Sequence, residues 1–108
     1  MHAAREDDVV QLSGLLDARR AAETRQVLYD RIDNGEGDVV VDLTEVESID
    51  ATVMTVLAAA AVRLHRVGRH VVLRGCTPTL RRLFAFRGWR RLFVWERASQ
   101  SEAVDGAV

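Results

Sequence analysis

The segment Asp38-Val39-Val40-Val41-Asp42-Leu43 constrains the fold of this chain more than any other stretch. Consecutive β-branched residues favour an extended strand, and a strand that is apolar on both faces is typical of a covered position in a mixed or parallel sheet. The chain then passes through a polar stretch, predicted to be a loop from Thr44 to Ile49, and enters a helix at Asp50. This junction between a buried strand and a helix is where we expect the function to lie.

Strands and helices also alternate in the first third of the chain. Val9-Val10-Gln11-Leu12 predicts a short strand ended by Ser13-Gly14, and the absence of Gly and Pro from Ala18 to Ile32 predicts a helix. Asp17 is placed to cap the N-terminus of that helix. The predicted apolar stripe of the helix consists of Ala22, Val27, Leu28 and Ile32.

The second half of the chain continues the alternation. The stretch after the junction predicts a long helix ended by Gly68, His70–Arg74 predicts a strand, and Thr77-Pro78 predicts a helix start. Gly88 ends that helix, and Leu92-Phe93-Val94-Trp95 predicts a final strand. The predicted inward residues are Val53, Val56, Leu57, Ala60, Leu64 and Val67 in the long helix, and Leu80, Leu83 and Phe84 in the next.

This order of elements predicts the α/β class, with helices covering a sheet. A chain of 108 residues is long enough for one core, so we expect a single domain over residues 1–108. Its polar ends, about residues 1–7 and 98–108, are expected to fray.

Charge and hydropathy exclude several classes of function. The formal net charge is −1, so no overall field attracts nucleic acid. No apolar run approaches the roughly 20 residues of a membrane span, and the N-terminus has no signal-peptide core. A single cysteine, Cys76, cannot form an internal disulfide. We therefore expect a cytoplasmic protein without membrane insertion.

Three segments, in this order, resemble the STAS domains of bacterial anti-sigma factor antagonists. Leu12–Asp17 is similar to the family's Gly-x-Leu-Asp turn, which precedes its first helix. Val39–Leu57 is similar to its central strand, its Asp-Ser-Ser/Thr-Gly-Leu turn and the helix that follows. Val71–Phe93 is similar to its C-terminal part through Thr77–Leu83 and Gly88–Phe93.

The resemblance implies a fold, an activity and a partner. The fold is a four- or five-stranded mixed sheet with helices packed on one side. The activity is that of a non-enzymatic binding module without a cofactor. The implied partner is an anti-sigma factor with a histidine-kinase-like ATPase fold, which releases its sigma factor when the unphosphorylated domain docks. In the family's best-known members, phosphorylation of a serine in the turn breaks this complex.

The family's turn corresponds here to a docking face made of Asp50, Ala51, Thr52, Val53 and Met54. The phosphorylated serine is replaced by Ala51, which has no hydroxyl, and Val53 stands where the family commonly has Gly. Thr52 is the alternative phosphoacceptor, although one step along a helix rotates the side chain by about 100 degrees. The sequence predicts a module locked in, or specialised for, the unphosphorylated state.

A cluster of arginines near Trp89 raises the question of nucleic-acid binding. Such pairs on an amphipathic helix are usually a solvated face, so we predict no direct nucleic-acid partner. The five arginines are Arg81, Arg82, Arg87, Arg90 and Arg91.

Enzymatic and metal-binding patterns are weak. His65 and His70 are not spaced as a metal pair on one helical face, and no phosphate-binding loop or nucleophile turn is present. The acidic run of Asp42, Glu45, Glu47 and Asp50 suits a polar loop and a helix cap. We therefore predict no catalytic residue, metal or cofactor.

Other roles remain open at this stage. A stand-alone STAS subunit of an ABC-type lipid transporter or of a sensory complex needs no phosphoacceptor and fits the same residues. The sequence does not distinguish a monomer from a homodimer. It predicts either a small buried filler or a redox-active thiol at Cys76.

Overall fold

The structure is a computed structural model that describes residues 9–96. In this part of the chain, strands and helices alternate, and the predicted frayed ends, residues 1–7 and 98–108, lie outside it. Single turns of 3-10 helix at Ala18–Arg20 and Arg90–Leu92 precede the first helix and the last strand. The main elements are β1 (Val9–Leu16), α1 (Ala21–Asn34), β2 (Val39–Ile49), α2 (Ala51–His65), β3 (Val71–Arg74), α3 (Pro78–Phe86) and β4 (Val94–Glu96).

The strands form one sheet in the order β1-β2-β3-β4, and every neighbouring pair is parallel. The predicted α/β class is confirmed, while the sheet is parallel throughout its four described strands rather than mixed. Each helix connects one strand to the next strand in the sheet. Because such crossovers are right-handed, α1, α2 and α3 lie on the same face of the sheet.

The core lies between the sheet and this helical layer. Val10, Val41 and Leu73 are buried side by side on neighbouring strands and face the helices. The α2 helix contributes most of the opposing surface. Its buried residues include small alanines, which allow the helix axis to lie close to the sheet. They are Val53, Met54, Leu57, Ala58, Ala60, Ala61 and Leu64.

An aromatic cluster fills the core at the β4 edge. The ring of Phe84 on α3 is fully buried and lies 5.2 Å from the ring of Phe93 and 5.8 Å from that of Trp95. Both contacts are edge-to-face, the arrangement that aromatic rings prefer. This cluster fixes α3 and β4 to each other.

The buried stripes of the helices differ from the prediction at a few positions. In α1, Ala22 and Val27 are exposed, and the buried stripe runs through Thr24, Leu28 and Ile32. Leu28 lies at the centre of this stripe, and at about 100 degrees per residue Val27 lies about 100 degrees and Ala22 about 120 degrees around the helix from it, so both point away from the core.

Two further residues predicted to point inward are also exposed. Val67 lies beyond the end of α2, so the helical spacing no longer applies to it. Leu83 lies about 100 degrees around α3 from the buried Phe84 and is 42% exposed.

The segment from Thr44 to Ile49 differs most from the predicted secondary structure. It was predicted to be a loop, and it forms the second half of β2. This half pairs with β1, from Ser13 with Glu45 to Leu16 with Ile49, after one shift in register between Gln11 and Ser13 and with a second between Gly14 and Leu15. The third strand pairs with β2 only from Val39 to Asp42. Residues 13–16 and 45–49 therefore extend beyond β3 as a two-stranded ribbon, here called the β1–β2 ribbon.

Candidate functional site at the start of α2

Asp50 joins the β1–β2 ribbon to α2 and is held from both sides. Its backbone N–H donates to the carbonyl oxygen of Leu16 at 3.0 Å, which fixes it to the end of β1. Its carboxylate oxygen Oδ1 accepts a hydrogen bond from the backbone N–H of Val53 at 3.1 Å. Asp50 is therefore the N-cap of α2, and its charge lies at the positive end of the helix dipole.

The predicted docking residues divide between the surface and the core. Ala51 and Thr52 are exposed, and Asp50 is half-buried. The side chains of Val53 and Met54 are only 0% and 3% exposed, since they belong to the inward face of α2. A partner at this place meets the side chains of the first three residues and the backbone of the first helical turn, while the last two support that turn from beneath.

The first turn of α2 offers hydrogen-bond donors to a partner. The first N–H groups of any α-helix lack acceptors within the helix, and the Asp50 carboxylate accepts only the one from Val53. Thr52 carries an exposed hydroxyl, whereas Ala51 presents a methyl group. The hydroxyl of Thr55 donates to the carbonyl oxygen of Ala51 at 2.9 Å, so it is engaged within the helix. Thr52 thus carries an exposed hydroxyl directly after the replaced serine position in the sequence.

The end of β1 adds a neighbouring surface that sequence reasoning missed. Leu15 is 58% exposed, and it pairs in the ribbon with Ser48. The side-chain alternation of a strand is the signal that was available: Leu16 is buried, so Leu15 must face the other way. The bond from Asp50 to Leu16 brings this apolar residue to the same end of the sheet as the start of α2.

Asp17 forms a second capped turn beside this site. Its carboxylate accepts hydrogen bonds from the backbone N–H of Arg19 at 3.0 Å and from the guanidinium of the same residue at 3.1 Å. The bond from the Arg19 side chain lowers the pKa of Asp17 below its ordinary value. Functional sites of parallel sheets lie at the carboxyl ends of the strands, which is where Asp17 and Asp50 are found.

The predicted acidic run does not converge on one point. Asp42 accepts a hydrogen bond from the backbone N–H of Thr44 at 2.9 Å, while Glu45 and Glu47 are exposed on the ribbon. Within residues 9–96, no three His, Cys, Asp or Glu side chains come together as metal ligands.

The two histidines are brought together by the turn that follows α2. The rings of His65 and His70 lie 5.7 Å apart, and Nδ1 of His70 lies 3.7 Å from a carboxylate oxygen of Asp38. Spacing along a single helix did not reveal this contact, because His65 is in α2 and His70 lies before β3.

Cys76 is half-buried in the turn between β3 and α3. Burial raises the pKa of its thiol to about 11, against a smaller opposing effect of the Arg81 charge. The reactive thiolate is therefore scarce at neutral pH, which favours the structural interpretation of Cys76.

No helix between residues 9 and 96 is long and apolar enough to cross a membrane.

Several solved structures share this fold. The anti-sigma factor antagonist SpoIIAA in its unphosphorylated form is 22% identical, with 92% of this chain and 85% of that chain covered and a TM-score of 0.70. A putative anti-sigma factor antagonist from Thermotoga maritima is also 22% identical, with coverages of 93% and 87% and a TM-score of 0.72. A sulfate transporter family protein from Wolinella succinogenes is 20% identical, with coverages of 89% and 82% and a TM-score of 0.70.

Comparison of the sequence with protein-family models shows the family of this chain. No curated protein matches the chain. The family model described as "Mlab, STAS domain" matches residues 1–94. The match includes the junction at Asp50 and nearly all of the parallel sheet. The chain belongs to the STAS domain family.

Proposed function

We propose that this protein is a non-enzymatic regulatory module that docks on an anti-sigma factor with a histidine-kinase-like ATPase fold and thereby controls release of a sigma factor. The docking surface consists of Asp50, Ala51 and Thr52, supported from beneath by Val53 and Met54. The module acts in the cytoplasm, where the transcription machinery is found.

The observation that carries this proposal is the exposed, rigidly capped first turn of α2. Asp50 is fixed by hydrogen bonds to β1 and to Val53, so the turn is organised before a partner arrives. A preorganised surface binds with a smaller loss of conformational entropy than a mobile one. The fold is shared with proteins described as an anti-sigma factor antagonist and a putative one, which supports this class of partner.

The replacement of serine by Ala51 supports a module without the usual phosphate switch. A phosphate adds close to two negative charges, and beside the Asp50 carboxylate it would repel acidic groups of a docked partner. The methyl group of Ala51 cannot accept a phosphate. We infer that the docking surface stays in its unphosphorylated state and that control comes from the abundance of the protein or from its partner.

The test uses a purified complex of a sigma factor and an anti-sigma factor of the histidine-kinase-like class. Adding this protein should release the sigma factor, and prior incubation with the anti-sigma factor and ATP should leave its activity unchanged. Mass spectrometry should find no phosphate on the wild-type chain, while Ala51→Ser should gain one. Stoichiometric phosphate on Thr52 would contradict the unswitched state, and failure to bind any such anti-sigma factor would contradict the proposed function.

A second candidate is a STAS subunit of an ABC-type lipid transporter or of a sensory complex. The similarity of the fold to a sulfate transporter family protein favours a transport-related role, and such a subunit needs no phosphoacceptor at Ala51. Purification of the tagged protein from its native cells distinguishes the two. Recovery of a transporter ATPase at equal stoichiometry would support this second role, and recovery of an anti-sigma factor would support the first.

A further inference from the structure

The near-neutral net charge hides a strong separation of charge along the chain. The first fifty residues carry thirteen acidic and five basic side chains. From Ala51 to Trp95 there are nine arginines and no aspartate or glutamate. Acidic and basic groups therefore occupy different parts of the fold, since α2, β3 and α3 belong to the basic stretch.

The basic charge is concentrated on α3 and the segment leading into β4. Five exposed arginines lie there, and within residues 9–96 none of the five forms an ion pair. An arginine in an ion pair already uses its guanidinium donors on the neighbouring carboxylate. These five arginines have no such partner among the described residues, so their guanidinium groups can bind an anionic ligand. We call this surface the α3–β4 face. Its arginines are Arg81, Arg82, Arg87, Arg90 and Arg91.

A groove of about 160 Å³ runs between α3 and β4 within this face. Arg81, Arg82 and Arg90 line it together with Ala85, and the ring of Trp95 forms an apolar wall. The indole N–H of Trp95 donates to the carbonyl oxygen of Arg90 at 2.7 Å, which fixes the ring. The groove thus combines the guanidinium groups of its arginines with the rigid apolar surface of the Trp95 ring. This combination suits a side chain such as glutamate, whose carboxylate follows a short aliphatic segment.

Large apolar side chains are exposed next to the groove. Phe86 is 90% exposed, and Leu83 on the same helix is 42% exposed. An exposed apolar patch that is surrounded by charged groups is typical of a protein-binding surface. On the other side, β4 is the last strand of the sheet, and within residues 9–96 no strand pairs with its outer edge; an edge of this kind can pair with an extended segment.

We propose that the α3–β4 face docks an acidic, partly apolar segment of a partner protein. Glutamate or aspartate side chains of that segment contact Arg81, Arg82 and Arg90, and an apolar side chain packs on Phe86. This docking is separate from the proposed binding at Asp50 and does not depend on it. The protein then has two binding surfaces and acts as an adaptor.

The aromatic rings of this face argue against a nucleic acid as the occupant. Single-stranded nucleic acids need open ring faces for base stacking. The guanidinium of Arg81 lies 5.3 Å from the centre of the Trp95 ring, and that of Arg87 lies 5.7 Å from the centre of the Trp89 ring. A guanidinium therefore already lies over each tryptophan ring, which leaves less open ring surface for a base to stack on, while the rest of the Trp95 ring lines the groove. A concave groove also suits individual side chains better than the flat surface of a membrane.

The test follows the amide NMR spectrum of the whole isotope-labelled chain during titration with a synthetic peptide. The peptide has about twelve residues, with Glu alternating with Leu or Ala, and a matched peptide has Gln in place of Glu. We expect shifts in α3 and β4 that are reduced by added salt, since exposed charge pairs are screened. The double variant Arg82→Glu, Arg90→Glu should bind the Glu peptide about tenfold or more weakly.

The control variant is Arg25→Glu, Arg66→Glu, which changes the net charge equally at exposed positions outside α3 and β4. It should bind the Glu peptide like the wild type. Equal binding of the Gln peptide would overturn the proposal, as would shifts confined to residues outside 78–96. If the protein binds vesicles of phosphatidylglycerol and phosphatidylcholine more tightly than the Glu peptide, the face is a membrane-binding surface instead. Tighter binding of a thymidine oligonucleotide than of the Glu peptide would assign the face to a nucleic acid. These peptide titrations do not measure release of a sigma factor. A negative result for the proposed function at Asp50 is therefore distinguishable from a negative result for the α3–β4 face.

Discussion

Gly75, which follows β3, shows how a single glycine lets the chain pass close to the neighbouring strand β2. Its φ of +75° lies in the left-handed region, which side chains with a Cβ atom rarely adopt. A Cβ atom at this position would also lie 2.9 Å from the backbone nitrogen of Thr44 on β2. Glycine is required here for two reasons, the backbone angle and the close approach of β2.

Comparison with Gly68 separates these two reasons. Gly68 has a similar φ of +77°, but a Cβ atom there would meet nothing within 4 Å. We expect Gly68→Ala to lower the free energy of unfolding by about 1 kcal/mol, the cost of left-handed backbone. Gly75→Ala should lower it by about 3 kcal/mol, because overpacking adds to that cost. Urea unfolding measures both, and equal losses would show that β2 does not lie against Gly75.

Cys76 gives a residue-scale prediction about pH. Burial raises the pKa of its thiol from 9.0 to about 11, so the neutral thiol is the main form in the folded protein below that pH. Alkylation by iodoacetamide should therefore be slow at pH 8 and should accelerate as the pH approaches 11. Mass spectrometry gives the rate, with the urea-unfolded chain as control. Alkylation at pH 8 as fast as in that control would contradict the burial of the thiol.

The same shift affects stability in alkaline solution. The unfolded chain loses the thiol proton near pH 9, while the folded chain keeps it until about pH 11. The Cys76 contribution to the free energy of unfolding therefore decreases as the pH rises through this window.

At the scale of single elements, the sequence predicted best where a residue type has one backbone role. Thr77 and Asp50 are N-caps whose side chains accept hydrogen bonds from Leu80 and Val53. Gly88 has the positive φ expected of a glycine that ends a helix. These features depend on local geometry, which the sequence specifies directly.

The β1–β2 ribbon was missed because its stability is not local. Its residues on β2 are mostly polar, and the buried-strand pattern does not extend to a ribbon that projects beyond β3. Long-range contacts hold it instead, including the backbone N–H of Asp50, which donates to the carbonyl oxygen of Leu16 at 3.0 Å. Pairing between strands distant in sequence overrides the local preference of Glu45 and Glu47 for a loop.

The N-cap of α2 can be tested as an element. Asp50→Ala removes the acceptor for the Val53 N–H and should lower the free energy of unfolding by about 1 kcal/mol. Asp50→Asn keeps an acceptor at the same place and should cost only a few tenths of that value. Urea unfolding compares the variants, and hydrogen exchange at Val53 should accelerate in the alanine variant alone. Identical stability of all three proteins would exclude a capping role.

At the scale of the whole molecule, the sequence predicted the fold and the position of the junction but not its surface. The family turn identified Asp50 to Met54 as a unit. The helical spacing predicted that Val53 points inward, but the sequence also placed it in the docking face. The structure shows that Val53 and Met54 are both buried and that Leu15 from β1 is exposed at the same end of the sheet. The composition of a surface depends on which elements pack together, and that information is not local.

The central claim is that the start of α2 is the docking surface for an anti-sigma factor. Ala51→Glu adds a negative charge there without endangering the fold, because an acidic residue in the first turn suits the helix dipole. Ala22→Glu is the matched control, since Ala22 is also an exposed alanine in the first turn of a helix, α1.

Isothermal titration calorimetry with an anti-sigma factor of the histidine-kinase-like class tests this claim most directly. We expect Ala51→Glu to weaken binding by about tenfold or more, through desolvation and repulsion of like charges at the interface. Ala22→Glu should bind as the wild type does. Unchanged affinity of Ala51→Glu, or an equal loss in both variants, would contradict the assignment of the docking surface to the start of α2.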